Sequence, residues 1–243
     1  MKWGYITGNG KPPFPLYLDI NTHCHALLTG GSNSGKSYTL LNLVGNLLQS
    51  NPQIILTLCD FKNSEDFGFL KGYPNYYSGN GCYQGIMNYY ESFCNARIQG
   101  ENGVRHLLIV DEYPAMINYL TAKDKQDKTK KTGDILGAVA EILMLGRGIK
   151  YGVWIVTQRA DASLFTNGAR DNFMIVLGLG RMSKEQKSML FSGEDVPEKV
   201  YRQGEGCLLA DGNPLYEVTF PRISNIIDWK KHIKEILMQH YDK

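Results

Sequence analysis

Between an apolar run, His25-Ala26-Leu27-Leu28-Thr29, and a segment with Leu40, Leu41, Val44, Leu47 and Leu48 at helical spacing stands Gly30-Gly31-Ser32-Asn33-Ser34-Gly35-Lys36-Ser37. The apolar run reads as a short buried strand. The later leucines read as an amphipathic helix that closes near Pro52. Few folds place eight such residues between a strand and a helix. Glycines let the backbone wrap closely around a ligand with its N–H groups pointing inward, and a helix N-terminus adds positive potential at the same place. The arrangement predicts a layered α/β fold with an anion site at the end of a strand.

The spacing, a glycine, four residues, then Gly-Lys-Ser, is that of a Walker A loop. In that chemistry Lys36 supplies a point charge to the β- and γ-phosphates of ATP, and the Ser37 hydroxyl is a ligand for Mg2+. Tyr38, in the first helical turn, joins the candidate nucleotide-binding set. Downstream, Leu107-Leu108-Ile109-Val110-Asp111-Glu112 is a buried-strand run that ends on two carboxylates. This pattern suits a Walker B strand, with Asp111 holding Mg2+ directly or through water and Glu112 orienting and deprotonating an attacking water. Asp and Glu also favour helix starts, but the pairing with the upstream loop and the distance of two βα units favour the Walker reading. A catalytic carboxylate of this kind points to a hydrolase rather than a small-molecule kinase.

Two further positions have two readings each. Gln158 follows Thr157 at the end of the strand Tyr151–Thr157, where a polar side chain lies beside the γ-phosphate in such sheets; taken by itself, a plain strand exit is the stronger reading. Arg147, between Gly146 and Gly148, is either a solvated surface arginine or a group that reaches a neighbouring subunit's nucleotide. The residues alone do not choose.

Along the rest of the chain, apolar runs alternate with helical patterns, the rhythm of a mostly parallel sheet with helices on both faces. Strands are expected at 15–20, 53–59, 107–110, 151–157 and 173–179, with helices around 86–93, 135–143 and 226–241. Asp211-Gly212-Asn213-Pro214 separates two short strands, predicting a β-hairpin near the C-terminus. The stretch from Ala122 to Thr132 carries Lys123, Lys125, Lys128, Lys130 and Lys131 and is expected to be exposed and mobile, a lysine-rich surface insertion at about 120–133. No repeat or linker divides residues 1–243, so a single domain is expected.

Composition excludes little but does exclude something. The net charge of +2 makes no case for or against a nucleic-acid partner, so any basic surface must be local. Five scattered cysteines suit reduced thiols in a cytoplasm. No apolar run approaches the roughly 20 residues of a membrane span, and the N-terminus has no signal-peptide pattern; a soluble cytoplasmic chain, or the soluble part of something larger, is expected. His23-Cys24-His25 invites a metal reading, but no second cluster completes four ligands, and packing is expected instead. The tyrosines from Tyr73 to Tyr90 are likewise expected to pack rather than to stack on bases.

Taken in order, these motifs resemble the motor domain of the FtsK/SpoIIIE DNA translocases, within the FtsK–HerA group of RecA-like P-loop ATPases. The His25 to Gly30 lead-in, Asp60-Phe61-Lys62 (Asp-Pro-Lys in the family), Val110-Asp111-Glu112-Tyr113, Gly146-Arg147-Gly148-Ile149, Ile155-Val156-Thr157-Gln158-Arg159 and Gly204-Glu205-Gly206-Cys207-Leu208-Leu209 carry the likeness across most of the chain. The resemblance implies a RecA-like fold, ATP and Mg2+ as cofactors, Arg147 as a trans arginine finger, Gln158 as γ-phosphate sensor, and a homo-hexameric ring around double-stranded DNA. A membrane or relaxase partner would act in trans. The five lysines are candidate contacts to the DNA backbone. The lysine-rich stretch and the expected lack of a membrane span and of a winged-helix domain depart from the chromosome-segregating members. They favour a compact relative of the kind found on plasmids, phages or conjugative elements. The rival is an FtsK-like secretion or coupling ATPase acting on protein or single-stranded DNA; a regulatory nucleotide switch fits Glu112 and Arg147 less well.

Overall fold

All five residues of Ala26–Gly30 are buried, as befits a strand covered on both faces. The computed structural model of the chain describes residues 1–8, 12–100, 103–161, 164–165 and 168–239. Its strands are β1 (Lys2–Thr7), β2 (Phe14–Tyr17), β3 (Ala26–Gly30), β4 (Ile55–Asp60), β5 (Tyr76–Ser78), β6 (His106–Asp111), β7 (Tyr151–Thr157), β8 (Ile175–Leu179), β9 (Glu205–Ala210) and β10 (Tyr216–Thr219). The helices are α1 (Lys36–Ser50), α2 (Gly81–Gln99), α3 (Tyr113–Asp127), α4 (Lys131–Leu145), α5 (Lys184–Leu190) and α6 (Ile226–Met238). One ten-stranded sheet runs β2-β1-β10-β9-β8-β3-β7-β6-β4-β5. The strands from β8 to β5 in that order are parallel, and β9, β10, β1 and β2 extend it antiparallel.

The core alternates with the pleat. Ala26, Leu28, Leu107, Ile109, Trp154 and Val156 face a cluster with Leu40, Leu43, Leu47 and Ile233, beneath α1 and α6. Leu27, Leu108, Val110, Val153 and Ile155 face the opposite cluster with Ile86, Phe93, Ile135 and Leu143, beneath α2 and α4. The expected α/β architecture, with helices on both faces and a hairpin near the C-terminus, is therefore present. The hairpin closes through Asn213 N–H donating to the Ala210 carbonyl (2.9 Å), with Gly212 at φ +73°.

Several expectations shift. The lysine-rich stretch is not a loop: Lys123 and Lys125 belong to α3, Lys131 opens α4, and Lys128 and Lys130 lie in the turn between them. Tyr113, Met116, Ile117 and Leu120 bury one stripe of α3, and this stripe pins the helix to the core. Asp124 then caps the turn, accepting from the Thr129 hydroxyl (2.5 Å), Lys131 N–H (3.0 Å) and Thr132 N–H (2.8 Å). These donors hold its carboxyl down at about 2, the Thr129 hydroxyl most of all. The lysines are nonetheless largely exposed, Lys123 alone being half-buried. The strand expected at 15–20 is β2, at Phe14–Tyr17, and β1, β5 and α5 had no sequence expectation. Of the last helix, Tyr241 lies outside the described residues. No helix among the described residues is long and apolar enough to cross a membrane.

His25 is buried, and its Nδ1 accepts from the Val153 N–H (3.1 Å). Burial, then Arg105 and Arg147, push its pKa down to about 4. No group of three or more metal-ligating side chains occurs among the described residues. Tyr73 and Tyr89 are buried, donating to the carbonyls of Leu56 (2.6 Å) and Gly152 (2.8 Å), and all five cysteines are free.

The join between the parallel strands and their antiparallel extension lies at β8–β9, where a Cβ on Gly206 would stand 1.9 Å from the Gly178 carbonyl oxygen. Only a residue without a side chain permits that approach. Gly206→Ala should therefore lower the unfolding free energy by about 1–3 kcal/mol, as overpacking does. An unchanged urea midpoint would show that the two parts of the sheet are not locked at this contact.

Candidate phosphate site at the strand ends

Parallel strands end at the same edge of a sheet, and ligands of α/β folds bind in the crevice outside those carboxyl ends. Here β3 ends on Gly30, β4 on Asp60, β6 on Asp111 and β7 on Thr157. Asp60 and Asp111 stand directly opposite one another in the β4–β6 register.

From β3 the chain turns through Gly31–Ser34 and enters α1. Gly35, its N-cap, has φ +91°, and a Cβ there would lie 2.9 Å from the Gly204 backbone nitrogen. Conformation and space both demand glycine. No side chain caps α1 and no acidic residue occupies its first turn, so its N–H groups and positive dipole end are available to an anion. The Lys36 ammonium arcs over the loop and donates to the carbonyls of Gly30 (2.5 Å) and Gly31 (3.3 Å). Burial lowers its pKa, opposed by Glu112 and Asp111.

Asp111 is 5% exposed. Burial first, then the charges of Glu112 and Asp60, raise its carboxyl to about 7, against the Glu112 N–H it accepts (3.0 Å) and against Lys36. Asp60 is also raised, chiefly by burial. Its Oδ2 accepts from Ser64 N–H (2.8 Å) and the Tyr76 hydroxyl (3.3 Å), while its buried Oδ1 has no partner among the described residues. Glu112 sits in the left-handed region at φ 56°, ψ 39°, a strained conformation for a non-glycine residue. It turns its carboxylate toward the loop's cavity, where Gln158 Nε2 donates to both oxygens (3.2 and 3.4 Å). Gln158 is braced in turn by Gln186 Nε2 donating to its backbone carbonyl (3.5 Å).

A polar cavity of about 330 Å³ opens on this edge, lined by Gly31, Ser32, Asn33, Gly35, Lys36, Ser37, Tyr38, Glu112 and Gln158, together with Lys62, Asp66 and Gln203. The fold thus brings together the loop, Glu112 and Gln158, with Asp111 at the end of the neighbouring strand. Lys62, Asp66 and Gln203 were not singled out as site residues from sequence. Lys62 had a signal, two residues after the strand-ending Asp60; Gln203 and Asp66 had none.

The fold leaves Arg147 apart. It is exposed in a 3-10 turn (Gly146–Ile149) just before β7 begins, at the sheet edge opposite Gln158. The seven residues of β7 separate the two by roughly 20 Å at ordinary strand rise. The five lysines are not in the cavity either, but α4 runs back from the strand-end edge to that turn, so the tip of the α3–α4 hairpin lies on the site's side. Lys123 and Lys131 line a separate groove with Phe61, the residue after Asp60.

A buried carboxylate with no full counter-charge, beside a second with an unpartnered oxygen, fits a divalent cation. The scarcity of ligands suits Mg2+, which takes one or two protein oxygens and completes its shell with phosphate and water. Ser37 and Asp111 would hold it.

The raised Asp111 has a consequence for stability. Between its unfolded value near 3.8 and its folded value near 7, the folded chain keeps a proton that the unfolded chain has lost. The contribution is complete below about pH 4 and falls as pH rises through 7. Asp111→Asn should match the parent protein near pH 4. It should gain on it by up to about 1.4 kcal/mol per pH unit toward pH 7 in denaturant melts; parallel pH profiles would contradict the assignment.

No protein-family model matches the chain. It is 26% identical over 256 residues to the FtsK domain-containing protein YdcQ of Bacillus subtilis, covering 96% of this chain and 51% of YdcQ. Among solved structures it superposes on EssC (ATPases 2 and 3) from Geobacillus thermodenitrificans with a TM-score of 0.72 at 13% identity, covering 99% of this chain and 49% of that one. It superposes on the pCW3 conjugation coupling protein TcpA, solved with ATPγS, with a TM-score of 0.69 at 18% identity, covering 97% and 70%. The chain spans about half the length of YdcQ and of the EssC structure. Fold, strand-end site and a likeness running along nearly the whole chain agree: the chain is similar to an FtsK domain-containing protein, and its fold is that of the RecA-like P-loop ATPases.

Proposed function

We propose that the chain hydrolyses ATP and uses the energy to move double-stranded DNA through a homo-hexameric ring, as in transfer of conjugative or other mobile elements. The observation that carries the ATPase reading is the convergence of the uncapped α1 N-terminus, Lys36, Glu112 and Gln158 on one polar cavity. The names of its relatives, an FtsK domain-containing protein and a conjugation coupling protein solved with ATPγS, support the choice of nucleotide and of DNA.

In this reading the backbone N–H groups of Gly31 to Ser37 cradle the phosphates, and Lys36 exchanges its loop carbonyls for β- and γ-phosphate oxygens. Ser37 and Asp111 hold Mg2+, which when bound neutralises charge building on the phosphates. Glu112 takes a proton from the attacking water as the water's oxygen approaches the γ-phosphorus in line with the departing ADP oxygen. Its hydrogen bond to Gln158 aims that carboxylate and connects it to a side chain placed to read the γ-phosphate. Arg147 lies too far along β7 to serve its own cavity, so as a finger it acts on a neighbouring subunit. The lysines at the α3–α4 tip offer sequence-independent contacts to a phosphate backbone.

The direct test is the steady-state ATPase rate with and without long double-stranded DNA, using Lys36→Ala as the blank. Stimulation that the blank lacks is expected. Hydrolysis indifferent to DNA would contradict a DNA motor and favour a protein cargo; no hydrolysis above the blank would contradict the ATPase itself. For the shared site, Glu112→Gln should bind ATP and turn it over about 100-fold or more slowly, the scale of a lost general base. Mixing it with Arg147→Ala subunits should recover part of the activity, since intact sites then form at mixed interfaces; no recovery at any ratio would place Arg147 outside catalysis.

A further inference from the structure

The phosphate cavity holds a second ammonium that the mechanism above leaves unused. Lys62 lines it together with Lys36, Glu112 and Gln158. It makes no hydrogen bond or ion pair among the described residues, although Asp66 and Glu112 line the same cavity. We propose that Lys62 is a second phosphate-binding residue, donating to the γ-phosphate of the bound triphosphate. The inference rests on the phosphate-site reading above and adds to it a contact that only a triphosphate can make.

A lysine on a plain surface loop would have no fixed place, but Lys62 stands on a built turn. β4 ends on Asp60, whose carbonyl accepts the N–H groups of Asn63 (3.2 Å) and Gly79 (3.0 Å). The first of these bonds closes a β-turn with Phe61 and Lys62 at its centre. Asn63 follows in the left-handed region at φ 52°, which asparagine tolerates better than most residues. The Asp60 carboxylate then holds the exit of the turn, accepting from the Ser64 N–H (2.8 Å) and hydroxyl (3.4 Å). On the outer side the Phe61 ring packs on Tyr119 of α3, with centroids 5.6 Å apart. Glu112 is the N-cap of that helix, so the turn and Glu112 are fixed to one element.

The order of the strands sets which phosphate Lys62 meets. Along β9-β8-β3-β7-β6-β4, the phosphate loop leaves β3, Gln158 leaves β7, Glu112 leaves β6 and Lys62 leaves β4. Gln203, which precedes β9, lines the cavity's opposite end. Lys62 therefore stands on the Glu112 side, where the γ-phosphate faces the attacking water. Its ammonium is near enough to that of Lys36 for the two like charges to oppose one another. A phosphate between them turns that repulsion into two attractions.

The test measures binding of ATPγS and of ADP, each with Mg2+, by calorimetry. Lys62 is exposed, so Lys62→Ala and the length-preserving Lys62→Met should fold, and a thermal melt checks both. Each variant should bind ATPγS about tenfold more weakly than the parent, the scale of one charge-assisted hydrogen bond, while ADP affinity stays the same. Unchanged ATPγS affinity, or an equal loss for both nucleotides, would overturn the γ-phosphate contact and leave the phosphate site standing. A Lys62→Met chain that binds ATPγS as tightly as the parent would assign the effect to the stem and overturn it too. A parent protein that binds neither nucleotide would remove the phosphate-site reading and this inference with it.

Discussion

The parallel pairing of β4 with β6 in a register that sets Asp60 opposite Asp111 determines what the rest of the site can be. Two carboxylates at a buried sheet edge repel one another and lose water, and Glu112 adds a third charge beside them. Such a site is unfavourable unless cationic groups converge on it. Lys36 and the positive end of α1 come from the neighbouring loop after β3, two strands away in the sheet. Neither half is stable company for itself: the loop presents unmet donors, and the strand ends present unmet negative charge. A metal–phosphate ligand placed between them would satisfy both.

The antiparallel strands have a part in this arrangement beyond widening the sheet. β9 packs on β8 through the side-chain-free contact at Gly206, and the residues just before it reach back to the loop through Gly204 and Ser34. The hairpin thus braces the phosphate loop from behind. A change in the loop's conformation is felt at Gly204 and, one hydrogen bond further, at Phe220. Gln158, held between Glu112 and Gln186, makes a similar short link from the strand ends to α5.

The legible parts of the chain were those whose residue types are dictated by one local constraint. The Gly30 to Ser37 run, the carboxylates after Val110 and the turn at Gly212 each announce a backbone geometry. The buried parallel strands β3, β4, β6, β7 and β8 announced themselves as unbroken apolar runs because both faces are covered. What was missed had mixed signals. α3 carries Pro114 in its first turn and buries Tyr113, Met116, Ile117 and Leu120 at helical spacing, a pattern obscured by the lysines that follow. β1 earns its place only by pairing with β10, some two hundred residues away in the chain. Gln203 joins the site only because the hairpin folds back on α1, which no local pattern encodes. Arg147 was legible as a residue, but its remoteness from the cavity follows from the length and direction of β7.

The central claim is that one edge of this sheet is a nucleotide site assembled from the loop, Asp111 and Glu112. It is tested most directly by a crystal structure with a non-hydrolysable ATP analogue and Mg2+. The account expects the phosphates against the N–H groups of Gly31 to Ser37 and the metal between Ser37 and Asp111. A nucleotide bound at another surface, or phosphates at the loop with no metal near Asp111, would contradict it.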